Sequence, residues 1–240
     1  MIRELVYGRN PVRELYRGPR EVLEVWVTER AGMQIPWLEA GPRPQIKPER
    51  ALTEAAGTRD HQGVVAWCEP YRYADAYELA AVDRPLLVCL DQVTDPQNLG
   101  AVVRSAEGAG ATAVVLPAHG AVRVTAAVCR ASAGAVEHLP VAVVPNLARY
   151  LGDIKGNELW AYAADSEGSL SMWDVDLAGG VALVLGAEGK GVRPLVRRTC
   201  DGVVAIPLAG KVGSLNVSVA AALLLYEARR QRIAEGVRNA

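Results

Sequence analysis

The sequence predicts an α/β protein built around a largely parallel sheet. From residue 86 onward, the 240-residue chain alternates short apolar runs with helix-forming segments, and it ends in a long helix. Strands that are apolar along their whole length are typical of parallel sheets covered by helices on both faces. Half of the residues are hydrophobic, which is enough for a substantial core.

The pattern of the first 72 residues predicts a smaller α/β unit. YGRNPVRELYR has apolar residues at helical spacing, and we expect Asn10-Pro11 to cap this helix. A short helix is predicted at ALTEAAG, and strands are predicted at VLEVWVTE (22–29) and QGVVAWCE (62–69). We therefore predict three parts: an N-terminal domain at 1–72, a partly helical linker at 73–84 and a second domain at 85–240.

In the second domain, the sequence predicts six strands with helices between them. The strands are LLVCLD (86–91), TAVVLP (112–117), LPVAVV (139–144), ELWAYAAD (158–165), VALVLG (181–186) and VVAIPL (203–208). The helices are NLGAVVRSAEGAG, VTAAVCRASAGA, NLARYLGDI, RPLVRRT and LNVSVAAALLLYEARRQRIAEG.

Composition excludes several classes of protein. The net charge of −1 gives no overall basic field, so any RNA binding must come from local patches. The four cysteines are far apart without a C-x-x-C, and the three histidines are isolated, so we expect no disulfide framework and no metal. No apolar run reaches membrane-spanning length and no signal peptide precedes the first strand, so we expect a cytoplasmic protein.

Polar, glycine-rich turns follow three of the predicted strands. They are DQVTDPQNLGAVVRSAEGAG (91–110), VALVLGAEGKGV (181–192) and the segment AGKVGSLN after VVAIPL. Open α/β sheets bind ligands at the carboxyl ends of their strands. Taken singly, each turn has an ordinary alternative: Arg104 in a surface ion pair, Glu188 on a surface loop, or Ser214 as the cap of the closing helix. The turns match neither a P-loop nor a dinucleotide fingerprint, which excludes a Rossmann dehydrogenase.

Taken together, the patterns N-x(5)-R, G-x-E-G and S-L-N-V-S-V-A resemble the SpoU (TrmH) family of RNA ribose methyltransferases, in the SPOUT superfamily. The likeness covers roughly residues 84–234. YGRNPVREL and the HQGVVA strand are similar to the small ribosomal-protein-like domain that presents RNA in this family. The subgroup that methylates guanosine in 23S rRNA looks most similar. The resemblance implies a C-terminal trefoil knot, an obligate homodimer, and S-adenosyl-L-methionine bound in the knot.

The resemblance also implies the roles of particular residues. Gly186, Ile206 and Leu215 match positions that hold the cofactor. The polar catalytic positions are matched by Asn98, Arg104, Glu188, Ser214 and Asn216.

Arg104 is often cast as the base in this family. A guanidinium almost never deprotonates, so we expect Arg104 to bind the 3′-phosphate of the target and to stabilise the forming alkoxide, while phosphate or water takes the proton. Asn98 and Asn216 would orient Arg104 and the ribose. Glu188 would hold polar groups near the cofactor or fix its loop, and Ser214 would hydrogen-bond the sugar or cap the helix.

Alternative functions stay open at this point. The chain is also compatible with a ribose methyltransferase of tRNA, or with one that confers antibiotic resistance by modifying rRNA. A non-catalytic RNA-binding protein that keeps the fold is a third reading, which the intact polar set disfavours. The sequence also leaves open whether Arg104 acts in the site of its own subunit or of the partner.

Overall fold

The computed structural model describes residues 2–156, 158–187 and 189–236, without the side chains of residues 39 and 40. Within this part of the chain, contacts separate two compact units. The first unit takes the chain up to Arg72 and also Arg123–His138. The second unit takes Tyr73–Val122 and the chain from Leu139 onward.

The described strands, in chain order, are β1 (Glu4–Tyr7), β2 (Val22–Val27), β3 (Gln45–Ile46), β4 (Val64–Cys68), β5 (Leu86–Asp91), β6 (Ala113–Pro117), β7 (Val141–Val144), β8 (Leu159–Ala164), β9 (Leu170–Ser171), β10 (Gly180–Gly186) and β11 (Gly202–Ala205). The described helices are α1 (Arg9–Arg17), α2 (Glu29–Gln34), α3 (Glu49–Ala56), α4 (Ala76–Ala80), α5 (Pro96–Ala109), α6 (Ala126–Ala131), α7 (Leu147–Ile154), α8 (Pro194–Thr199) and α9 (Val217–Ala234). Short 3-10 turns add Pro36–Ala40 and Ala135–Glu137.

The described part of the first unit contains a four-stranded sheet in the order β1-β4-β2-β3, in which β4 is antiparallel to both of its neighbours. The predicted cap at Asn10-Pro11 is wrong. Gly8 occupies the N-cap of α1 with a φ of 98°, and its carbonyl accepts from the Val12 amide at 3.1 Å. The helix therefore begins earlier, and Pro11 sits in the first turn, where its missing N–H costs little. The sequence pattern did not predict β1, α2 or β3.

Residues 123–138, which the sequence pattern assigned to the second domain, cluster with the first unit. A buried ion pair holds this segment: the Arg20 guanidinium donates to Glu137, and both side chains are almost fully buried. Glu4 also accepts from Arg20 at 3.1 Å, and His138 pairs with Glu14 at 3.0 Å. A buried charge needs a partner of opposite sign, so this ion pair links two residues that are 117 positions apart in the sequence. The functional domain boundaries at 72 and 85 stay a prediction.

The described part of the second unit contains a seven-stranded sheet in the order β7-β6-β5-β10-β8-β11-β9, and every pairing in it is parallel. The prediction of an α/β fold with a largely parallel sheet is confirmed. The strands β5, β6 and β10 are buried almost throughout, which explains why their sequences are apolar along their whole length. Only the two-residue β9 was missed among these strands. The trefoil knot stays a prediction.

The four cysteines are free thiols. Burial raises the pKa of Cys68 to about 11 and the pKa of Cys129 and Cys200 to about 12. Such thiols stay protonated near neutral pH and serve as packing residues. Among the described residues, no group of three or more metal-ligating side chains is placed to hold an ion. None of the described helices is long and apolar enough to cross a membrane.

Candidate active site

A cavity of about 680 Å³ lies at one edge of the parallel sheet. Three adjacent strands, β10, β8 and β11, end there, because the carboxyl ends of parallel strands meet at the same edge. Ligand-binding cavities have volumes of about 300–1,000 Å³ and mostly apolar walls with a few polar groups. The apolar walls come from Leu185, Val204, Ile206, Leu208, Leu215 and Val217; the polar lining comes from Asp165, Ser166, Glu167, Lys190, Ser214 and Asn216.

The wall formed by the end of β10 depends on a very close backbone approach. A Cβ on Gly186 would lie 1.9 Å from the carbonyl carbon of Gly191, so no other residue fits there. The Gly191 amide donates to the Ala187 carbonyl at 2.9 Å, which closes a tight turn. Glu188, the catalytic residue predicted in this turn, lies outside the described residues.

Asp91 and Arg193 anchor the same turn from the other side. The Asp91 carboxylate is fully buried at the end of β5, the strand next to β10. It accepts from the Arg193 amide at 2.8 Å and from the Arg193 Nη2 at 2.7 Å. The buried charge thus holds the end of the loop that begins at Gly186. The sequence pattern did not predict this pair, because 102 residues separate its members.

The structure brings together two predicted catalytic residues that are 118 positions apart. The Asn216 Nδ2 donates to the Asn98 Oδ1 at 3.0 Å, which joins the starts of α9 and α5. The Asn216 Oδ1 also accepts from the Ser218 amide at 2.8 Å and caps α9. The suggestion that Ser214 caps this helix is therefore wrong. The helix begins two residues later than expected, and Ser214 instead lines the cavity.

Arg104 is on α5, exposed, and absent from the described lining of this cavity. The helices α5 and α9 run side by side in the same direction, since Asn98 meets Asn216 near their starts and Arg229 donates to the Ala109 carbonyl near the end of α5. Six residues of helix carry Arg104 about 9 Å along the axis from Asn98. Among the described residues, Arg104 forms no ion pair.

The end of β8 supplies polar residues that the sequence motifs did not predict to be in the site. Asp165 and Glu167 line the cavity, and the Asp165 side chain accepts from the Glu167 amide at 2.9 Å and pairs with Arg197 at 3.1 Å. The signal was present, because Asp165 ends the predicted strand ELWAYAAD. The three predicted cofactor residues, Gly186, Ile206 and Leu215, all line the same cavity.

Comparison with known families identifies the class of protein. A family model described as SpoU rRNA Methylase family matches residues 85–226, and one described as RNA 2'-O ribose methyltransferase substrate binding matches residues 5–74. The chain therefore belongs to the SpoU rRNA methylase family, as its three motifs indicate.

Relatives and solved structures resemble the chain over nearly its whole length. The 23S rRNA (guanosine-2'-O-)-methyltransferase RlmB of Vibrio cholerae is 39% identical over 98% of this chain and 99% of its own length. RlmB of Shewanella oneidensis is 37% identical over 95% of this chain and 98% of its own. The crystal structure of the SpoU methyltransferase AviRb from Streptomyces viridochromogenes in complex with AdoMet superposes with a TM-score of 0.84 at 27% identity, covering 97% of this chain and 91% of that one.

The pairing of Asp91 with Arg193 predicts a measurable loss of stability when it is broken. Arg193→Ala leaves a buried carboxylate without its cation and should lower the free energy of unfolding by about 2 kcal/mol. Hydrogen exchange should also speed up at the amides of residues 189–193. The matched control is Arg197→Ala, whose partner Asp165 is partly exposed; it should cost less than about 1 kcal/mol. Equal losses in denaturant unfolding of the two variants would contradict the anchoring role.

Proposed function

We propose that this protein transfers a methyl group from S-adenosyl-L-methionine to the 2′-oxygen of a guanosine ribose in 23S rRNA. Its membership of the SpoU rRNA methylase family and near full-length similarity to relatives with this activity in their names support the proposal. The observation that carries it is the cavity: Gly186, Ile206 and Leu215 line it, and Asn216 links it to Asn98.

The cavity suits S-adenosyl-L-methionine in size and in chemistry. Its volume is in the range for a small-molecule site, and Ile206 and Leu215 offer apolar surface for a flat base. The carboxylates of Asp165 and Glu167 are acceptors suited to hydroxyl and ammonium groups. Gly186 lets the backbone pack closely at the end of β10. When bound, S-adenosyl-L-methionine supplies an electrophilic methyl group on a sulfonium.

The polar residues orient and activate the ribose. A ribose hydroxyl is a weak nucleophile at neutral pH, so orientation and proton removal carry much of the rate. Asn98 and Asn216 hold each other at the starts of two helices and position the ribose. Ser214, which does not cap α9, hydrogen-bonds the sugar, and Glu188 holds polar groups near the cofactor or fixes its loop.

Arg104 acts as a fixed positive charge. Because a guanidinium almost never deprotonates, Arg104 binds the phosphate 3′ to the target and stabilises the developing alkoxide, while phosphate or water accepts the proton.

The domain roles follow from this activity. Residues 1–72 present the RNA, 73–84 link the two domains, and 85–240 carry the methyltransferase; the two family matches at 5–74 and 85–226 support this division. The relatives named for 23S rRNA favour this substrate over tRNA. An rRNA substrate also favours a cytoplasmic location.

The active form is a homodimer that uses α9. Val219, Leu223 and Tyr226 are exposed on this helix at spacings of four and three, which makes one apolar stripe. Burying such a stripe against a second copy removes apolar area from water. Arg104 lies on the neighbouring helix, exposed and away from the lining of its own cavity. We propose that it serves the cavity of the partner subunit.

Deleting the gene should remove one guanosine 2′-O-methyl group from 23S rRNA. Restoring the wild-type gene should bring the methyl group back, and the Asn216→Ala variant should not, because it lacks the amide that positions the ribose. Mapping of ribose methylation across total RNA measures the change. Loss from a tRNA instead would refute the proposed substrate, and no loss anywhere would refute the activity.

Arg104→Ala should lower the rate of methyl transfer more than tenfold, which is about 1.4 kcal/mol of barrier. Its affinity for S-adenosyl-L-methionine should stay within about twofold, because the residue acts on the RNA. Arg104→Lys should also fail if two-pronged phosphate binding matters. Arg149→Ala, which removes another exposed arginine of the second unit, is the control and should keep full activity. Retention of more than a tenth of the rate by Arg104→Ala would rule out a catalytic role.

Mixing two inactive variants tests whether the site is shared between subunits. If Arg104 serves the partner, a dimer of one Arg104→Ala and one Asn216→Ala subunit has one intact site and one doubly defective site. Random assembly of equal amounts should then restore about a quarter of wild-type activity. If Arg104 serves its own subunit, every site has one defect and activity stays at the level of the separate variants, which would contradict the shared site.

A further inference from the structure

A second cavity, of about 930 Å³, lies in the first unit, at the edge of the sheet where α1, α2 and α3 begin. It has no role in the site described above. Four basic side chains line it: Arg9, Arg30, Lys47 and Arg59. Two carboxylates, Glu29 and Glu49, line it as well. We call this cavity the basic groove.

The chain neutralises the basic side chains of the groove only in part. Among the described residues, Arg30, Lys47 and Arg59 form no ion pair. Most other arginines of this unit do, as in the pairs Arg3–Glu24, Arg17–Glu14, Arg20–Glu137, Arg50–Glu54 and Arg72–Glu69. Glu29 and Glu49 lie in the first turns of their helices, where a carboxylate stabilises the helix. The groove therefore keeps an excess of positive charge.

The loop at one side of the groove is held rigidly. The Arg9 amide donates to the Gln62 Oε1 at 3.0 Å, and the Arg9 Nε donates to the Gln62 carbonyl at 3.3 Å. Gln62 has a φ of 54°, a conformation that costs energy unless its surroundings enforce it. A rigid loop loses little conformational freedom when a ligand binds.

The buried His61 ring also holds this loop, through two hydrogen bonds. Its Nδ1 accepts from the Gly63 amide at 3.0 Å, so the ring proton is on Nε2, which donates to Thr53 Oγ1 at 3.0 Å. Opposite this loop, the Lys47 ammonium lies 5.2 Å from the centre of the Trp26 ring, which restrains it at the edge of the groove. Arg9 and Lys47 are therefore held in place by contacts within the unit.

We propose that the basic groove binds the phosphate backbone of the substrate RNA. The inference rests on the proposed function, because it takes RNA as the substrate. Arginine and lysine side chains are the usual partners of phosphate oxygens, and such contacts position a nucleic acid without reading its sequence. The groove contributes affinity and salt dependence, and the choice of nucleotide is made elsewhere.

The experiment compares two variants with the same change of charge. The groove variant is Arg30→Gln, Lys47→Gln and Arg59→Gln; Arg9 is left in place because it holds Gln62. The control variant is Arg17→Gln, Arg50→Gln and Arg72→Gln, three arginines of the same unit already paired with glutamates. Binding of a 23S rRNA fragment is measured from 50 to 300 mM salt, alongside the affinity for S-adenosyl-L-methionine and the unfolding midpoint.

The groove variant should bind the RNA at least about tenfold more weakly at 0.15 M salt. Its plot of log K against log salt should be shallower by about two, since each lost phosphate contact removes roughly 0.7 to 0.9 from the slope. The affinity for S-adenosyl-L-methionine and the unfolding midpoint should not change. Restoring charge with Arg30→Lys and Arg59→Lys, with Lys47 intact, should keep most of the affinity.

Two outcomes overturn the proposal. In the first, the groove variant binds RNA with wild-type affinity and slope. In the second, the control variant loses as much affinity as the groove variant, which would mean that general charge and not the groove matters. If the wild-type protein methylates no RNA, the proposed function fails, but the comparison of RNA binding between the two variants still decides the role of the groove.

Discussion

The buried charge of Asp91 is the constraint on which the candidate active site depends. A carboxylate with no exposure to water needs a cation and hydrogen-bond donors, and Arg193 supplies both through its guanidinium and its backbone amide. Because Asp91 ends β5 and Arg193 follows the turn after β10, this pair binds the turn to the neighbouring strand. Gly186 then meets Gly191 at a distance that only a glycine allows. One wall of the cavity is therefore set by electrostatics and by backbone packing together.

The other walls are assembled from adjacent strands and held by side-chain amides. The cavity lies where β10, β8 and β11 end side by side, and the loop before α9 closes it with Ser214 and Leu215. Asn216 links this loop to α5 by donating to Asn98 while it caps its own helix. The Asn216 side chain thus lies at the end of the loop, caps α9 and contacts the neighbouring helix α5. Substitution of such a residue affects the geometry of the site as well as its chemistry.

The net charge of the chain does not describe how charge is distributed within the first unit. The whole protein carries a formal charge of −1, yet within this unit six arginines pair with glutamates, whereas Arg30, Lys47 and Arg59 of the basic groove form no ion pair among the described residues. Local excess, and not total charge, decides where a polyanion is attracted. The buried pair of Arg20 and Glu137 adds a structural use of charge, since it holds a distant segment of the chain within this unit.

The sequence by itself determined the parallel α/β sheet, the order of the three motif turns and the family, because apolar runs, glycines and short polar patterns are local properties of the chain. It missed β1 and α2, and it misplaced the cap of α9, since a cap depends on where the helix starts and not on residue type alone. Only the tertiary structure joined Asn98 to Asn216 and paired Asp91 with Arg193. It also placed residues 123–138 in the first unit. These contacts link positions about 100 or more apart, and hydrogen bonds and buried charges at such separation leave no periodic trace in a single sequence.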